Sequence, residues 1–369
     1  MATASFIEEP HSQLWQDPST QAFSVPVERR TNDIVATIAG GRIDERKNSL
    51  MSSVPVAEGV AVIAATTVGR TQGRAARGRE PWPGGDGRAT KGLSMIVVSA
   101  ASGGLGRRVV DHLLARRPAS QVAVAARTPE RVADLAARGV QVRHGDYDAP
   151  DTLRSAFEGA DRLLLISSPE LDPARRIKQH QAAIDAARAT GVGAVAYTSF
   201  LEADTRSDGV TSAHHATEQA LKASGLPHTV LRHPFYSEGF LRPALHSALA
   251  SGELRDATDG RGLNTASRAD LAEAAAHVLT EEDHVGGAYD FTGPLWSYPD
   301  LVQALARVCG RPVAHRLGHE RAEGVQGWLE EQIRSGVLER QTDDLRQVLR
   351  RAPATLDETL TELLADTSG

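Results

Sequence analysis

From Met95 onward the apolar positions follow two alternating rhythms. Short runs that are apolar on both faces, Ile96–Ala100, "QVAVAAR" (Gln121–Arg127), "DRLLLISS" (161–168) and "VGAVAYTSF" (192–200), read as strands buried on both sides. Between them lie stretches with helical spacing: Gly104–Arg116, Thr128–Gly139, "APDTLRSAFEGA" (149–160) and "DPARRIKQHQAAIDAARATG" (172–191). Gly139 and Gly191 are placed to close two of these helices, and Asp151 to cap a third. "VQVRHGD" adds a short strand. Strands and helices alternate five times with short links, which predicts an α/β fold: a Rossmann-type, doubly wound parallel sheet covered on both faces. Beyond residue 233 the pattern turns helical, with short strands near "YDFTG", and predicts a small, mainly helical C-terminal lobe.

The first 94 residues carry neither rhythm. They end in "GRTQGRAARGREPWPGGDGRATKGLS", too rich in Gly, Arg and Pro to bury a core that offsets chain entropy. The expected organisation is therefore an extension over 1–94 that is either spurious, with Met95 as the true start, or real and disordered, a small folded module being the third reading. A nucleotide-binding domain then covers 95–233, and a substrate lobe over 234–369 completes it.

Charge and cysteine content narrow the function. The formal net charge is −6, which gives no reason to expect nucleic acid as a partner. The one cysteine, Cys309, permits no internal disulfide and fits a reducing cytoplasm. No apolar run approaches a membrane span, and no Cys/His spacing suggests a metal. A homodimer is the default expectation for a small soluble enzyme.

The first strand opens into Ala100-Ala101-Ser102-Gly103-Gly104-Leu105-Gly106, a GxxGxxG loop with Ala100 in place of the first glycine. Between a strand and a helix, such a loop brings bare backbone amides against a pyrophosphate. With alanine at the first position, an ordinary backbone is expected there. Arg127 ends the second strand, where an acidic residue would bind a ribose 2′-hydroxyl. An arginine suits a 2′-phosphate, so NADP(H) is expected in preference to NAD(H). Arg131 and Thr128 lie beside it.

The segments "SAASGGLG", "VAARTPE", "GDYDAPDTL", "LLLISSPE", "HHATEQALKASGL", "VLRHPFYSEGF", "SRADLAEAAAHVL" and "YDFTGP" occur in this order. Together they resemble the NmrA-like branch of the atypical short-chain dehydrogenases, most of all the bacterial type 2 NAD(P)H:quinone oxidoreductases and the related triphenylmethane reductases. The resemblance implies that Ser102, Gly103, Gly104, Leu105 and Gly106 line the pyrophosphate and that Arg127 meets the 2′-phosphate. Asp146 and Tyr147 would border the adenine, and Ser167 and Ser168 the nicotinamide ribose. Tyr197, Thr198 and Ser199 would flank the nicotinamide.

Most short-chain dehydrogenases carry a Tyr and a Lys four apart on the helix after strand five. Here His214 and Glu218 hold those positions. Without a phenol of lowered pKa, alcohol dehydrogenation is disfavoured. Quinone reduction makes a smaller demand on acid catalysis, so a histidine, His214, or a bound water could finish the proton transfer, and Ser199 is the second catalytic candidate. The bland alternative is a structural His214 bonded to Glu218, with His215 at the surface. Phe235, Tyr236 and Phe240 could wall a flat aromatic substrate. His233 stands where the family usually shows Asn. Asp270 is expected to cap or support the helix that closes the site. Glu330, Glu331 and "ERQTDDLRQVLRR" read as solvated helix faces. The expected function is NADPH-dependent hydride transfer to a quinone or similar flat electrophile. An NADP-binding redox sensor with little turnover, or another reductase on the same fold, remain the alternatives.

Overall fold

The computed structural model describes residues 95–318, 322 and 324–367, leaving aside the side chains of 325, 326 and 367. The expectations for residues 1–94 lie outside the described residues. The first half runs β1 (Ile96–Ser99), α1 (Gly104–Leu114), β2 (Val122–Ala126), α2 (Ala133–Ala137), β3 (Gln141–His144), α3 (Pro150–Phe157), β4 (Arg162–Leu165), α4 (Pro173–Ala189), β5 (Ala194–Phe200), α5 (Ser212–Ser224) and β6 (His228–His233). The second half adds β7 (Phe235–Tyr236), α6 (Ser237–Ser251), β8 (Glu253–Asp256), β9 (Leu263–Ala266), α7 (Arg268–Thr280), β10 (Ala288–Asp290), β11 (Leu295–Trp296), α8 (Tyr298–Cys309), β12 (Ala314–Leu317), α9 (Gly324–Arg334), α10 (Asp344–Leu349) and α11 (Leu356–Thr367).

Seven parallel strands form the main sheet in the order β10-β6-β5-β4-β1-β2-β3. The order reverses at β1, which pairs with β2 on one side and β4 on the other. That reversal opens the crevice where ligands of such sheets bind. The all-apolar runs explain the layering. Every residue of β2 and β5 is buried, because helices cover both faces. One face packs on α1, α7 and α10 through Val109, Leu113, Leu271, Leu279 and Leu345. The other packs on α3, α4 and α5 through Leu153, Phe157, Ile184 and Leu221.

The C-terminal half does not stand apart. β10 pairs with β6 in the main sheet, and α7 lies against α1 in the same core. The remainder holds its own core around Leu241, Leu245, Trp296, Leu305 and Leu360. It is less purely helical than the pattern implied, since two small sheets, β11-β9-β7 and β12-β8, run through it.

Several local expectations need correction. Residues 128–139 form a 3-10 turn (Pro129–Val132) followed by the five-residue α2, with Gly139 beyond it at φ +86°. Asp151 is not the cap of α3. Ala149 is, and Asp151 sits in the first turn, where its charge still suits the helix dipole. Ser267 caps α7 by accepting from the Asp270 amide. Asp270 instead accepts from the Ala354 amide at 2.7 Å and pairs with Arg351 at 2.7 Å, tying the C-terminal segment to α7. Glu330 is not solvated but 2% exposed and paired with Arg255 at 2.9 Å, whereas Glu331 is exposed. In "ERQTDDLRQVLRR", Leu345, Val348 and Leu349 are buried, so this segment is an amphipathic strap rather than a charged face.

Candidate functional site

The turn after β1 sets up the crevice. Ala100 has φ +49°, in the left-handed region, so the ordinary backbone expected there is not what forms. The strain is on the order of 1 kcal/mol for a residue with a Cβ, which explains why glycine suits this position. The turn is closed by the Gly103 amide donating to the Ala100 carbonyl at 3.1 Å. α1 then starts at Gly104 with no side-chain cap and no acidic residue in its first turn. A Cβ on Gly106 would stand 2.8 Å from the Ala101 Cα and 3.1 Å from the Ala100 carbonyl oxygen. Only glycine lets the helix start this close to the strand. The uncapped amides of the first turn and the absence of a competing carboxylate fit a dinucleotide's pyrophosphate.

Other predicted residues gather at the carboxyl ends of the strands. Arg127, at the end of β2, is exposed and has no ion-pair partner among the described residues. Tyr147 is tethered over β1 and β4. Its hydroxyl donates to the Ile166 carbonyl at 2.7 Å and lies 2.6 Å from Ser99 Oγ. Burial raises its pKa, so it stays a phenol. The Asp146 amide donates to Thr152 Oγ1, and Asp146 Oδ1 accepts from the Asp148 amide. The Ser167 amide donates to Thr198 Oγ1 at 2.9 Å, fixing the ends of β4 and β5 together. Ser168 Oγ donates to Gln179 Oε1.

Beneath this rim lies a cluster that the sequence reading resolved only in part. Tyr197, expected to flank the nicotinamide, has no exposed surface. Its hydroxyl is 2.9 Å from His214 Nδ1. Burial pushes its pKa up to about 12. His214 does not bond Glu218. Its Nε2 lies 3.1 Å from Arg176 Nη2. Because a guanidinium only donates, that Nε2 must be the acceptor, and the ring's proton resides on Nδ1, toward Tyr197. Burial, with Arg176, His180 and His233 nearby, holds the His214 pKa well below its ordinary value, so the ring is neutral. His180 repeats the arrangement. Its Nε2 accepts from the Ser168 amide at 2.9 Å and its Nδ1–H faces Thr217 Oγ1 at 2.8 Å. Burial and Arg176 lower its pKa to about 3. His233 is also buried neutral, its pKa lowered to about 3 by burial, and its Nε2 has no partner. It stacks on Phe291.

Ser199 Oγ donates to Glu218 Oε1 at 2.6 Å. Glu218 also accepts from Arg232 Nε at 2.9 Å and Nη2 at 2.7 Å, and Arg232 Nη1 reaches Asp290 at 3.2 Å. Arg340 closes the network on Asp290 at 2.6 Å. Glu218 thus anchors the sheet to the C-terminal strap instead of serving His214. His215 is partly buried, with Nδ1 2.8 Å from the Ala203 carbonyl.

Of the three aromatics expected to wall a substrate, Phe235 and Phe240 pack on one core cluster, whereas Tyr236, the next residue of β7, packs on the other. Phe235 lies 5.0 Å from Phe200 and 5.9 Å from Phe240, ring centre to ring centre. Tyr236 is stacked under the Arg268 guanidinium at 4.8 Å. The sequence reading missed Trp328, which stands edge-on to Phe235 at 5.8 Å and stays 42% exposed. It also missed Arg176 and His180, hidden in what read as a plain amphipathic helix. For metals, Glu281, Asp283 and His284 share a small region of the described surface, but Glu281 already bonds His277 and Arg350. Among the described residues no helix is long and apolar enough to cross a membrane.

Comparison with known proteins agrees with this geometry. The NAD(P)H-binding family profile matches residues 100–282. Over 223 residues the chain is 40% identical to quinone oxidoreductase 2 of Escherichia coli (strain K12), covering 60% of this chain and 77% of that one. The crystal structure of the Citrobacter sp. triphenylmethane reductase complexed with NADP(H) superposes with a TM-score of 0.69 at 33% identity, over 73% of this chain and 99% of that one. The NADPH-dependent quinone oxidoreductase from Escherichia coli, complexed with NADPH, gives 0.67 at 34% identity, over 73% and 100%. With its reversed-order parallel sheet, uncapped glycine turn and these relatives together, the chain belongs to the NAD(P)H-binding, NmrA-like family of oxidoreductases.

Proposed function

We propose that the protein is a cytoplasmic, NADPH-dependent reductase that passes hydride to a quinone or a similar flat electrophile. The observation that supports this reading is the uncapped glycine turn at the sheet's reversal, with the joined ends of β4 and β5 beside it. The amides and hydroxyl of Ser102, Gly103, Gly104, Leu105 and Gly106 would cradle the pyrophosphate. Arg127, free of any acid, would meet the 2′-phosphate and set the preference for NADP(H) over NAD(H). Asp146 and Tyr147 would edge the adenine, and Ser167, Ser168 and Thr198 the nicotinamide end. Residues 95–233 would thus hold the nucleotide, and 234–369 would supply the acceptor side. Bound there, a reduced nicotinamide supplies the hydride.

The chain's own residues then do three things. Phe235 and Phe240, with Tyr236 from the neighbouring cluster, would border a planar acceptor ring. His214 and Ser199 act through neighbours: His214 holds Arg176 and Tyr197, and Ser199 holds Glu218. The neutral His214 has both nitrogens committed, so the final proton comes from water. The test is to mix protein, NADPH and a benzoquinone and follow nicotinamide absorbance. Oxidation above the uncatalysed rate supports the reading. Tight NADPH binding without turnover across several acceptors would favour the redox-sensor alternative.

A further inference from the structure

Among the described residues, Arg176 is a partly buried cation with no carboxylate in salt-bridge contact. Long charged side chains are almost never buried without a partner. The nearest acid, Glu170, is turned to Arg175 at 3.3 Å. Arg176 Nη2 is spent on Ser167 Oγ at 2.5 Å and on His214 Nε2 at 3.1 Å. Its Nε is sealed from solvent and bonds nothing. Its Nη1 also bonds no protein atom among the described residues, yet it is not among the sealed, unpartnered atoms. Two neutral acceptors therefore aim the guanidinium, and its free edge is left for something that is not in the chain.

The surroundings say what that something is. Ser167 follows β4, and the His214 ring that Arg176 bonds lies 6.0 Å from Phe200, which in turn packs on Phe235 at 5.0 Å. His214, His180 and His233 are all held neutral here. Arg176 thus supplies positive charge close to these aromatics at the point where β4 and β5 end.

We infer that Arg176 is a catalytic residue of this site: its Nη1, unbonded and not sealed, receives the oxyanion that forms on the acceptor as hydride arrives. This rests on the reductase reading above. A quinone that gains a hydride from the reduced nicotinamide becomes a hydroquinone monoanion, and one proton from water completes the hydroquinone. The negative charge appears on an oxygen at the ring's edge. A guanidinium fixed by Ser167 and His214 stabilises such a charge without reorganising. His214 is then a positioning residue, because it aims Arg176 and does not donate the proton.

The test reads anion recognition without turnover. The protein is saturated with NADP⁺, which cannot deliver hydride, and titrated with para-nitrophenol, whose phenolate absorbs visible light. Its methyl ether serves as the uncharged control. Wild type should favour the phenolate, lowering the apparent pKa of the bound phenol by about one unit, roughly a tenfold preference. Arg176→Met should lose this preference while binding NADP⁺ as wild type does. Arg176→Lys should keep part of it. Should Arg176→Met melt early, Arg176→Gln, which retains donors for Ser167 and His214 but no charge, gives the same reading. A wild type that binds the phenolate no better than the ether, or a neutral variant that keeps the preference, overturns the inference. Loss of NADP(H) binding by wild type would instead overturn the reductase reading itself. Nucleotide binding and quinone turnover without a phenolate preference would remove only the role of Arg176.

Discussion

Glu218 occupies the position where a catalytic lysine would stand, yet its partners make it a structural anchor, and that distinction has a measurable signature. Four acids, Glu218, Asp290, Asp204 and Glu202, surround two guanidinia, Arg232 and Arg340. Burial opposes the charge on Arg232, but Glu218, Asp290 and Asp204 outweigh it and hold its pKa above the ordinary value. The excess of acids makes the two halves of the Glu218–Arg232 pair unequal. In Glu218→Gln, Arg232 loses one acceptor but still faces Asp290 at 3.2 Å and Asp204 at 3.7 Å. The cost should be that of a weakened charged hydrogen bond, about 1–3 kcal/mol. In Arg232→Met, Glu218 is left buried with only the Ser199 hydroxyl, 8% exposed and uncompensated. Removing one partner of a buried pair in this way costs about 3–5 kcal/mol. For a protein of this size each kcal/mol moves the melting point by roughly 2–4 °C. Urea unfolding of the two variants should therefore separate them by about 2 kcal/mol, with Arg232→Met the less stable. Glu218→Gln should keep quinone turnover within about threefold of wild type, since the Gln side-chain oxygen can still accept from Ser199 and keep it in place. The reasoning fails if Glu218→Gln is the more damaging of the two. It fails equally if Glu218→Gln leaves the melting point alone and removes turnover.

Ala100→Gly should relieve the left-handed strain and raise stability by up to about 1 kcal/mol in urea unfolding, with NADPH binding retained; a loss of stability would refute the strain. Gly106→Ala places its methyl 2.8 Å from backbone that cannot yield, so it should cost about 1–3 kcal/mol and weaken nucleotide binding together, read by unfolding and by NADPH titration. Arg127→Asp should weaken NADPH at least tenfold while sparing NADH, by about the worth of one charged phosphate contact; equal effects on both would void the assignment. The buried histidines set a pH dependence. His180 and His233 have folded-state pKa values of about 3, and that of His214 is also well below the ordinary 6.5. The unfolded chain takes up these protons near 6.5 while the folded one does not. Their stability is therefore fully present above that pH and lost as pH falls below it. At pH 5.5 His180 and His233 together should have cost roughly 3 kcal/mol relative to pH 8, with His214 acting in the same direction. His180→Gln should visibly flatten that slope in unfolding titrations.

What could be read ahead of the structure divides along physical lines. The parallel sheet was legible because a strand covered on both faces is largely apolar: β2 is so throughout, and β5 until the polar residues at its carboxyl end. The nucleotide turn was legible because its chemistry is carried by the backbone and shows as glycine. Ala100 was misjudged for the same reason: its side chain says nothing about its φ, and neighbouring geometry forces the left-handed turn regardless. The buried charges were illegible. Glu330 and Arg340 sit in segments whose composition matches a solvated helix face, and only contacts far along the chain, Arg255 to Glu330 and Arg340 to Asp290, decide otherwise. Arg176 shows the limit most clearly. In "DPARRIKQH" it stands beside Arg175, identical in type, on the same opening turn of α4. Arg175 turns outward to Asp148 and Glu170, whereas Arg176 turns inward to Ser167 and His214. The angular step of about 100° between successive helix residues decides which arginine is surface and which faces the crevice. The helical period was visible in the sequence, but its phase relative to the crevice was set by how α4 packs on the sheet. A site residue on such a helix announces itself only when the missing partner can be seen: a cation turned inward, held by neutral acceptors, with no acid of the described chain to meet it.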